Sequence, residues 1–243
     1  GLGKSEQIIS SNISSSNRDN IFLATKFGVR FDSNAAFYDN SEEWFWNALH
    51  ESLRRLKVDF IDLYQVHYWD QITNFEDIYS YFEKAIDQGK IRFMGVSNID
   101  RSELTESLPN FFKTFSFELN LLEQENRKKI DAFLENKDTY FISWGSLCQG
   151  LLSGHIDEST VFNDQDRRNR DIYKHFHQDL FESNLLKISK LKRIADEINV
   201  SMSSFSLNWI LEKYARSIAL FGSIKPDEVL ENISDQCYRI DKK

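Results

Sequence analysis

Residues 58–98 read VDFIDLYQVHYWDQITNFEDIYSYFEKAIDQGKIRFMGVSN, and the hydrophobic period changes twice along them. Val58 to Val66 is a short apolar run rich in Ile, Val, Phe and Tyr that ends at His67. From about Phe75 the apolar residues Ile78, Phe82, Ala85 and Ile86 fall on one face of a helix, which stops at Gly89, a residue favoured just past a helix end. Lys90 to Val96 is again strand-like and ends at Ser97-Asn98. Strand, helix and strand in this order form a βαβ unit, whose two strands are parallel.

The same wiring extends outward in both directions. Upstream, Asn20 to Thr25 is a strand ending at Lys26. Ser41 caps a helix with Glu42 and Glu43 in its first turn and an apolar stripe of Phe45, Ala48, Leu49, Leu53 and Leu56. Downstream, strands are expected at about Thr114 to Leu119, Thr139 to Ser143 and Ser217 to Phe221. Helices are expected at Glu125 to Glu135, Asn184 to Ile198 and Ser201 to Glu212. Six parallel strands that read as near-continuous apolar runs belong inside, covered by helices. A doubly wound sheet and a β/α barrel both satisfy that pattern. No G-x-G-x-x-G follows the first strand, so the barrel is favoured.

Composition narrows the function classes. Of 243 residues, 41% are hydrophobic and 28% charged, which is globular and excludes disorder as the main state. The formal net charge of −8 argues against nucleic acid or an anionic membrane surface as the main partner. Two cysteines, Cys148 and Cys237, make neither a disulfide framework nor a four-ligand zinc site, so a reducing, cytoplasmic setting is expected. No run of about 18 apolar residues is present to span a bilayer, and the opening residues do not read as a signal peptide. Two prolines and nine glycines leave no room for a linker, so residues 1–243 are expected to form one domain.

In a β/α barrel the reacting groups come from the C-terminal ends of the strands. Here those ends carry Lys26, His67, Ser97-Asn98, Trp144-Gly145-Ser146 and Gly222-Ser223. A lysine closing an apolar strand is partly desolvated, with a pKa open to tuning, and a histidine on a neighbouring strand end can hydrogen-bond a substrate oxygen. Together they indicate carbonyl or proton-transfer chemistry. His50, His155, His175 and His177 show no metal-ligand spacing and are read as surface or loop residues. Cys148 reads as a small buried filler. Residues 166–171, with alternating charge, read as a solvated loop, and Phe31 to Asn40 as another loop.

At these positions the chain resembles the aldo-keto reductase family. The matching stretches are Gly1-Leu2-Gly3-Lys4-Ser5-Glu6, Ala24-Thr25-Lys26-Phe27-Gly28, Ser52 to Leu56, Val58 to His67 and Gly89 to Asn98. Further matches are Glu118 to Glu123, Gly150 to Gly154, and Gly222-Ser223 followed by Lys225-Pro226 and Glu231-Asn232. The resemblance implies a (β/α)8 TIM barrel that binds a nicotinamide cofactor in extended form and reduces aldehydes or ketones. It implies a tyrosine as proton donor, a lysine that lowers the tyrosine's pKa, and a histidine that orients the carbonyl. Lys26 and His67 match that lysine and histidine. The tyrosine and its aspartate would lie just upstream of Gly1, so the chain is expected to begin after them, with the first two strands and first helix of the barrel missing.

The cofactor positions follow from the same resemblance. Ser97 and Asn98 match the pair that holds the carboxamide, and Trp144 stands where an aromatic stacks on the nicotinamide. Gly145, Ser146 and Leu147 match the pyrophosphate loop, with Gln149 beside it. Ser116 replaces a glutamine that usually helps hold the carboxamide. Gly222, Ser223, Lys225, Glu228, Glu231 and Asn232 match the segment at the adenosine end. Lys225 favours NADPH, whereas Glu228 opposes a 2′-phosphate; NADPH is the expected cofactor and NADH the alternative. Substrate choice is expected to be set by the loops after the strands, including residues 68–70, Phe31 to Asn40 and the segment around Asp164 to Asp171, with Tyr68 and Trp69 the expected walls of a pocket for a small carbonyl substrate. The competing functional class is a non-catalytic, reductase-derived nucleotide-binding or regulatory module.

Overall fold

A computed structural model describes residues 3–32, 35–104 and 111–234. Gly1, Leu2 and Cys237 lie outside the described residues. In chain order the elements are α1 (Lys4–Ser10), β1 (Ala24–Phe27), β2 (Val29–Phe31), β3 (Ala36–Tyr38), α2 (Glu42–Leu56), β4 (Ile61–Val66), α3 (Phe75–Asp87) and β5 (Ile91–Ser97). They continue with β6 (Thr114–Glu118), α4 (Arg127–Leu134), β7 (Tyr140–Trp144), α5 (Gln178–Glu197), α6 (Met202–Lys213), β8 (Ser217–Ala219) and α7 (Pro226–Ser234). Six strands form one sheet in the order β1-β4-β5-β6-β7-β8, and the pairs β1–β4, β4–β5, β5–β6 and β7–β8 are parallel. This is the α/β wiring expected from the sequence, and all six expected strands are present. The chain divides into two compact units, Gly1–Ser116 with Asp131–Tyr140, and Phe117–Ile130 with Phe141–Lys243.

In the first unit, local chemistry sets the helix ends. Ser41 Oγ accepts from the Trp44 amide at 3.3 Å, and Glu42 and Glu43 sit in the first turn of α2 against its positive dipole end. Lys57 ends the helix in the left-handed conformation at φ 57°, which delays the next strand to Ile61. The buried faces follow helical spacing: Phe45, Leu49, Ser52 and Leu56 on α2, and Phe75, Ile78, Phe82 and Ala85 on α3. They meet the sheet in an aromatic cluster of Phe27, Phe45, Tyr64 and Phe82, with ring centroids 5.0–6.0 Å apart.

The first strand starts at Ala24, later than Asn20, because the preceding residues serve a buried carboxylate. Asp62 Oδ2 accepts from Arg18 Nη2 at 2.8 Å and from the Leu23 amide at 2.9 Å, and Asp62 Oδ1 from Arg92 Nη1 at 2.9 Å. The expected loop from Phe31 to Asn40 contains a hairpin instead. β2 and β3 pair antiparallel with Val29 opposite Tyr38, and Arg30 Nη1 reaches Asp39 Oδ2 at 2.9 Å.

In the second unit, Leu147, Cys148, Leu151, Leu152, Phe176, Leu185 and Phe205 belong to one buried apolar cluster. Cys148 is buried and free, and burial pushes its thiol up to about 12, as suits a filler and not a nucleophile. Ser201 caps α6 by accepting from the Ser204 amide at 3.1 Å. α5 begins at Gln178, before the expected Asn184. Among the described residues no helix is long and apolar enough to cross a membrane, and no group of His, Cys, Asp and Glu could hold a metal ion.

Candidate active site

Parallel register places the chemistry of the first unit in rows. Lys26 stands opposite Gln65, Gln65 opposite Gly95, and Gly95 opposite Thr114. Side chains alternate along a strand, so the next residues on the same face, two positions on, include His67 on the β4 end, Ser97 and Ser116. Ser97 and Ser116 are register partners. Gln65 is buried, and its Nε2 donates to Ser116 Oγ at 3.0 Å and to Thr114 Oγ1 at 3.2 Å. Gly95 leaves room for that bridge, because a Cβ there would overlap Thr114 Oγ1 and come within 3.1 Å of Gln65 Cγ.

Lys26 is half-buried on β1, and burial lowers its pKa from the ordinary lysine range. His67 continues β4: its amide donates to the Phe27 carbonyl at 2.8 Å and its own carbonyl accepts from Asn98 Nδ2 at 3.3 Å. Burial first, and the Lys26 charge second, lower the His67 pKa to about 4. The imidazole is therefore neutral at physiological pH. Asn98 adopts φ 59°, its amide donates to the Ser116 carbonyl at 2.9 Å, and its Nδ2 also donates to Ser97 Oγ at 3.1 Å. Lys26, His67, Ser97, Asn98 and Ser116 are thus gathered by three adjacent parallel pairings.

Of the two residues expected to wall a substrate pocket, Tyr68 stacks on His67 with centroids 4.8 Å apart and on Tyr38 at 4.9 Å. Trp69 Nε1 donates to the Thr73 carbonyl at 2.8 Å and its ring packs on Phe75 at 5.0 Å, which ties the loop down to the start of α3.

The second unit holds a cavity of about 1070 Å³. Nine of the residues expected at a cofactor line it: Gly145, Ser146, Leu147, Gln149, Gly222, Lys225, Glu228, Glu231 and Asn232. Trp144 ends β7, and its carbonyl accepts from the Leu119 amide at 3.3 Å. Ser223 Oγ accepts from Asn232 Nδ2 at 3.4 Å. Neither Trp144 nor Ser223 is among the lining residues. Gly145 has φ 63°, and a Cβ there would come within 2.8 Å of Glu118 Oε1, so glycine is required. The Ser146 hydroxyl turns inward to the Ser143 carbonyl at 3.2 Å, leaving backbone to face a ligand. Gln149 and Gly150 follow with φ 50° and 96°, a local kink that shapes the wall.

One expectation is corrected here and two are extended. Asp166, Arg167 and Arg168 are not simply a solvated loop, because they line the cavity. Arg168 pairs with Asp166 and lies over the Phe162 ring at 4.4 Å, and that pairing holds the Asp166 carboxyl at about 2. His175 is buried, not on the surface: Asn184 Nδ2 lies 3.1 Å from its Nδ1, and Glu123 is 3.5 Å from its Nε2. His155 is exposed as expected, yet it too lines the cavity. Gln65 went unnoticed in the sequence; its one signal is a polar residue two places before His67 in a mostly apolar strand that also carries Asp62.

A parallel sheet with polar strand ends, and a cavity at the upper end of the ~300–1,000 Å³ usual for small-molecule and cofactor sites, define an α/β protein with room for a nucleotide-sized ligand. Residues 1–241 match the aldo/keto reductase family, and the chain belongs to it. It is 32% identical over 238 residues to aldo-keto reductase YhdN of Bacillus subtilis, covering 97% of this chain and 71% of that protein. It is 28% identical to aldo-keto reductase yakc [NADP(+)] of Schizosaccharomyces pombe, covering 88% of this chain and 64% of the relative. The structure of glycerol dehydrogenase AKR11B4 from Gluconobacter oxydans superposes with a TM-score of 0.85 at 28% identity, over 97% of this chain and 72% of that one. The relatives are oxidoreductases, and the lining fits a nicotinamide dinucleotide. A Cβ at Gly222 would meet no atom within 4 Å, so the wall is open there, and Arg167 and Lys225 offer cations beside apolar Ile156, Leu220 and Phe221.

Proposed function

We propose that this protein is an NAD(P)H-dependent oxidoreductase that reduces an aldehyde or ketone to an alcohol, acting on a small-molecule carbonyl substrate in the cytoplasm. One observation carries the reading: Lys26 and His67, both desolvated, close two adjacent parallel strands of a chain that belongs to the aldo/keto reductase family.

When bound, the reduced nicotinamide supplies a hydride for the carbonyl carbon. Lys26 acts on the proton. Its ammonium, short of water, favours a phenolate beside it and so lowers the pKa of a phenol from ~10 toward working pH. In this reading that phenol belongs to the tyrosine that the family resemblance implies as proton donor. His67 is neutral, so it donates one imidazole N–H to the carbonyl oxygen without adding a second cation beside Lys26. Tyr68, stacked on the imidazole, holds its plane and forms an apolar wall for substrate.

The cofactor would be held at its carboxamide by Ser97, Asn98 and Ser116, with the buried Gln65 amide fixing the Ser116 hydroxyl. Trp144 would stack on the nicotinamide; Gly145, Ser146, Leu147 and Gln149 would take the pyrophosphate. Gly222, Ser223, Lys225, Glu228, Glu231 and Asn232 would take the adenosine end. The choice between NADPH, favoured by Lys225, and NADH rests on the charge between residues 225 and 231. The test uses protein isolated from its natural source, mixed with reduced dinucleotide and a panel of aldehydes and ketones. The expected result is carbonyl-dependent loss of reduced-nicotinamide absorbance with one alcohol formed per dinucleotide consumed. Tight binding of dinucleotide without turnover on any carbonyl would refute the proposal and favour a binding module.

A further inference from the structure

Where β1 parts from β4, a side chain takes over the pairing. The register of the two strands ends at Phe27 opposite Val66, with the His67 amide on the Phe27 carbonyl. Gly28, at φ 100°, then turns the chain into the hairpin of β2 and β3, so β1 does not continue beside residues 68–70. Asn40, two residues past Tyr38 on the returning arm, fills that place. Its Nδ2 donates to the Tyr68 carbonyl at 3.2 Å, and its Oδ1 accepts from the Asp70 amide at 2.7 Å. One carboxamide thus meets residues 68 and 70 as a residue opposite Trp69 on a parallel strand would. The Asp70 carboxylate closes the clasp: Oδ2 accepts from the Asn40 amide at 2.8 Å and from Thr73 Oγ1 at 2.8 Å. Asn40 is fully buried, and Gly28 leaves it room, since a Cβ there would lie 2.6 Å from Asn40 Nδ2 and 3.0 Å from the Tyr68 oxygen.

This clasp joins the two loops that flank Lys26 and His67. The hairpin carries Tyr38 and the loop after β4 carries Tyr68; their rings stack 4.9 Å apart, and Tyr68 stacks on His67 at 4.8 Å with 25° between the planes. We propose that Asn40 is a positioning residue for carbonyl reduction: by pinning the backbone on either side of Trp69 it holds Tyr68 against His67 and fixes the direction in which the imidazole meets the carbonyl oxygen. The proposal rests on the reductase reading above. Phe27 and Asn98 fix the His67 backbone, but the plane of its ring depends on what lies against it. Without Asn40 the Tyr68 carbonyl and the Asp70 amide lose their partners, and the loop must shift to find others. A displacement of about 1 Å at a reacting group costs up to about a hundred-fold in rate.

The test compares Asn40→Ala, Asn40→Asp, Tyr68→Leu and the double variant Asn40→Ala with Tyr68→Leu in the full natural chain. Asn40→Asp keeps the size of the side chain and an acceptor for the Asp70 amide, but sets an oxygen against the Tyr68 carbonyl. Three quantities are read: kcat for carbonyl reduction, dinucleotide affinity by fluorescence quenching, and the NMR shift of the His67 ring protons, which the stacked Tyr68 ring moves upfield. In both single Asn40 variants kcat is expected to fall about ten- to a hundred-fold, dinucleotide affinity to change less than about three-fold, and the upfield shift to be lost. Tyr68→Leu is expected to reproduce the fall in kcat, and adding Asn40→Ala to it to cost little more, because both act on the same stack. Unchanged kcat and ring shift in either Asn40 variant overturn the proposal. So does a loss of dinucleotide binding that parallels the loss of activity, or a double variant whose losses simply multiply, since each marks a general structural role. Absence of turnover in the unmodified protein refutes the reductase reading instead, and the ring shift then still decides whether Asn40 holds Tyr68 on His67.

Discussion

His67 offers a sharp quantitative test, because its environment sets both its charge and its contribution to stability. Burial and the Lys26 ammonium lower its pKa from 6.5 in the unfolded chain to about 4 in the folded one. Between these values the unfolded state binds more protons, so stability is fully present above the unfolded pKa and is lost as pH falls toward the folded one. Linkage over that window predicts a loss of about 2 kcal/mol between about pH 7 and about pH 5, a sizeable part of the ~5–15 kcal/mol that holds a typical domain. His67→Gln keeps hydrogen-bonding capacity but cannot titrate, so its stability is expected to lack this component. The assay is urea denaturation of both proteins across that pH range, with the His67 ring protons followed by NMR in the folded protein. A ring that titrates near 6.5, or two proteins whose stabilities fall in parallel, would refute the claim that the imidazole is buried neutral beside Lys26.

Three further outcomes are expected. Lys26→Met should abolish carbonyl reduction while dinucleotide affinity, measured by fluorescence quenching, changes less than about three-fold, since the lost ammonium acts on a proton donor and not on the cofactor; retained turnover would remove Lys26 from the chemistry. Asp62→Ala should cost about 3–5 kcal/mol in urea denaturation, because it strands the buried Arg18 guanidinium as well as the Leu23 amide. Gly95→Ala should cost about 1–3 kcal/mol by overpacking against Thr114 and, by pushing Thr114 away, loosen the Gln65 bridge to Ser116; an unchanged unfolding midpoint would show that the strands part there without cost.

The architecture was legible wherever the hydrophobic period was long and locally terminated. Residues 58–98 carry two buried strands and a helix with its own stop at Gly89, and each appears within three residues of its expected place. The hairpin of β2 and β3 was hidden because its strands are three residues long and mostly exposed, so no face alternates between apolar and polar. The polar strand ends could be read because parallel wiring brings successive ends together. Distant packing could not be read. His175 is buried against Asn184, nine residues on, and Glu123, and Gln65 gains meaning only when β6 supplies Thr114 and Ser116 as acceptors. Asp166 and Arg168 pair locally, which imitates a solvated loop, while residues 166–168 line a cavity whose far side lies some sixty residues later in the chain.

Hydride transfer is the central claim, and isotopic labelling tests it most directly. Protein from its natural source would be given a carbonyl substrate and a reduced dinucleotide carrying deuterium at C4 of the nicotinamide, and the alcohol analysed by mass and NMR. The account predicts one deuterium, bound to the former carbonyl carbon, with the hydroxyl proton drawn from exchangeable sites. An alcohol without carbon-bound deuterium, or no alcohol from a protein that binds the dinucleotide, would contradict it.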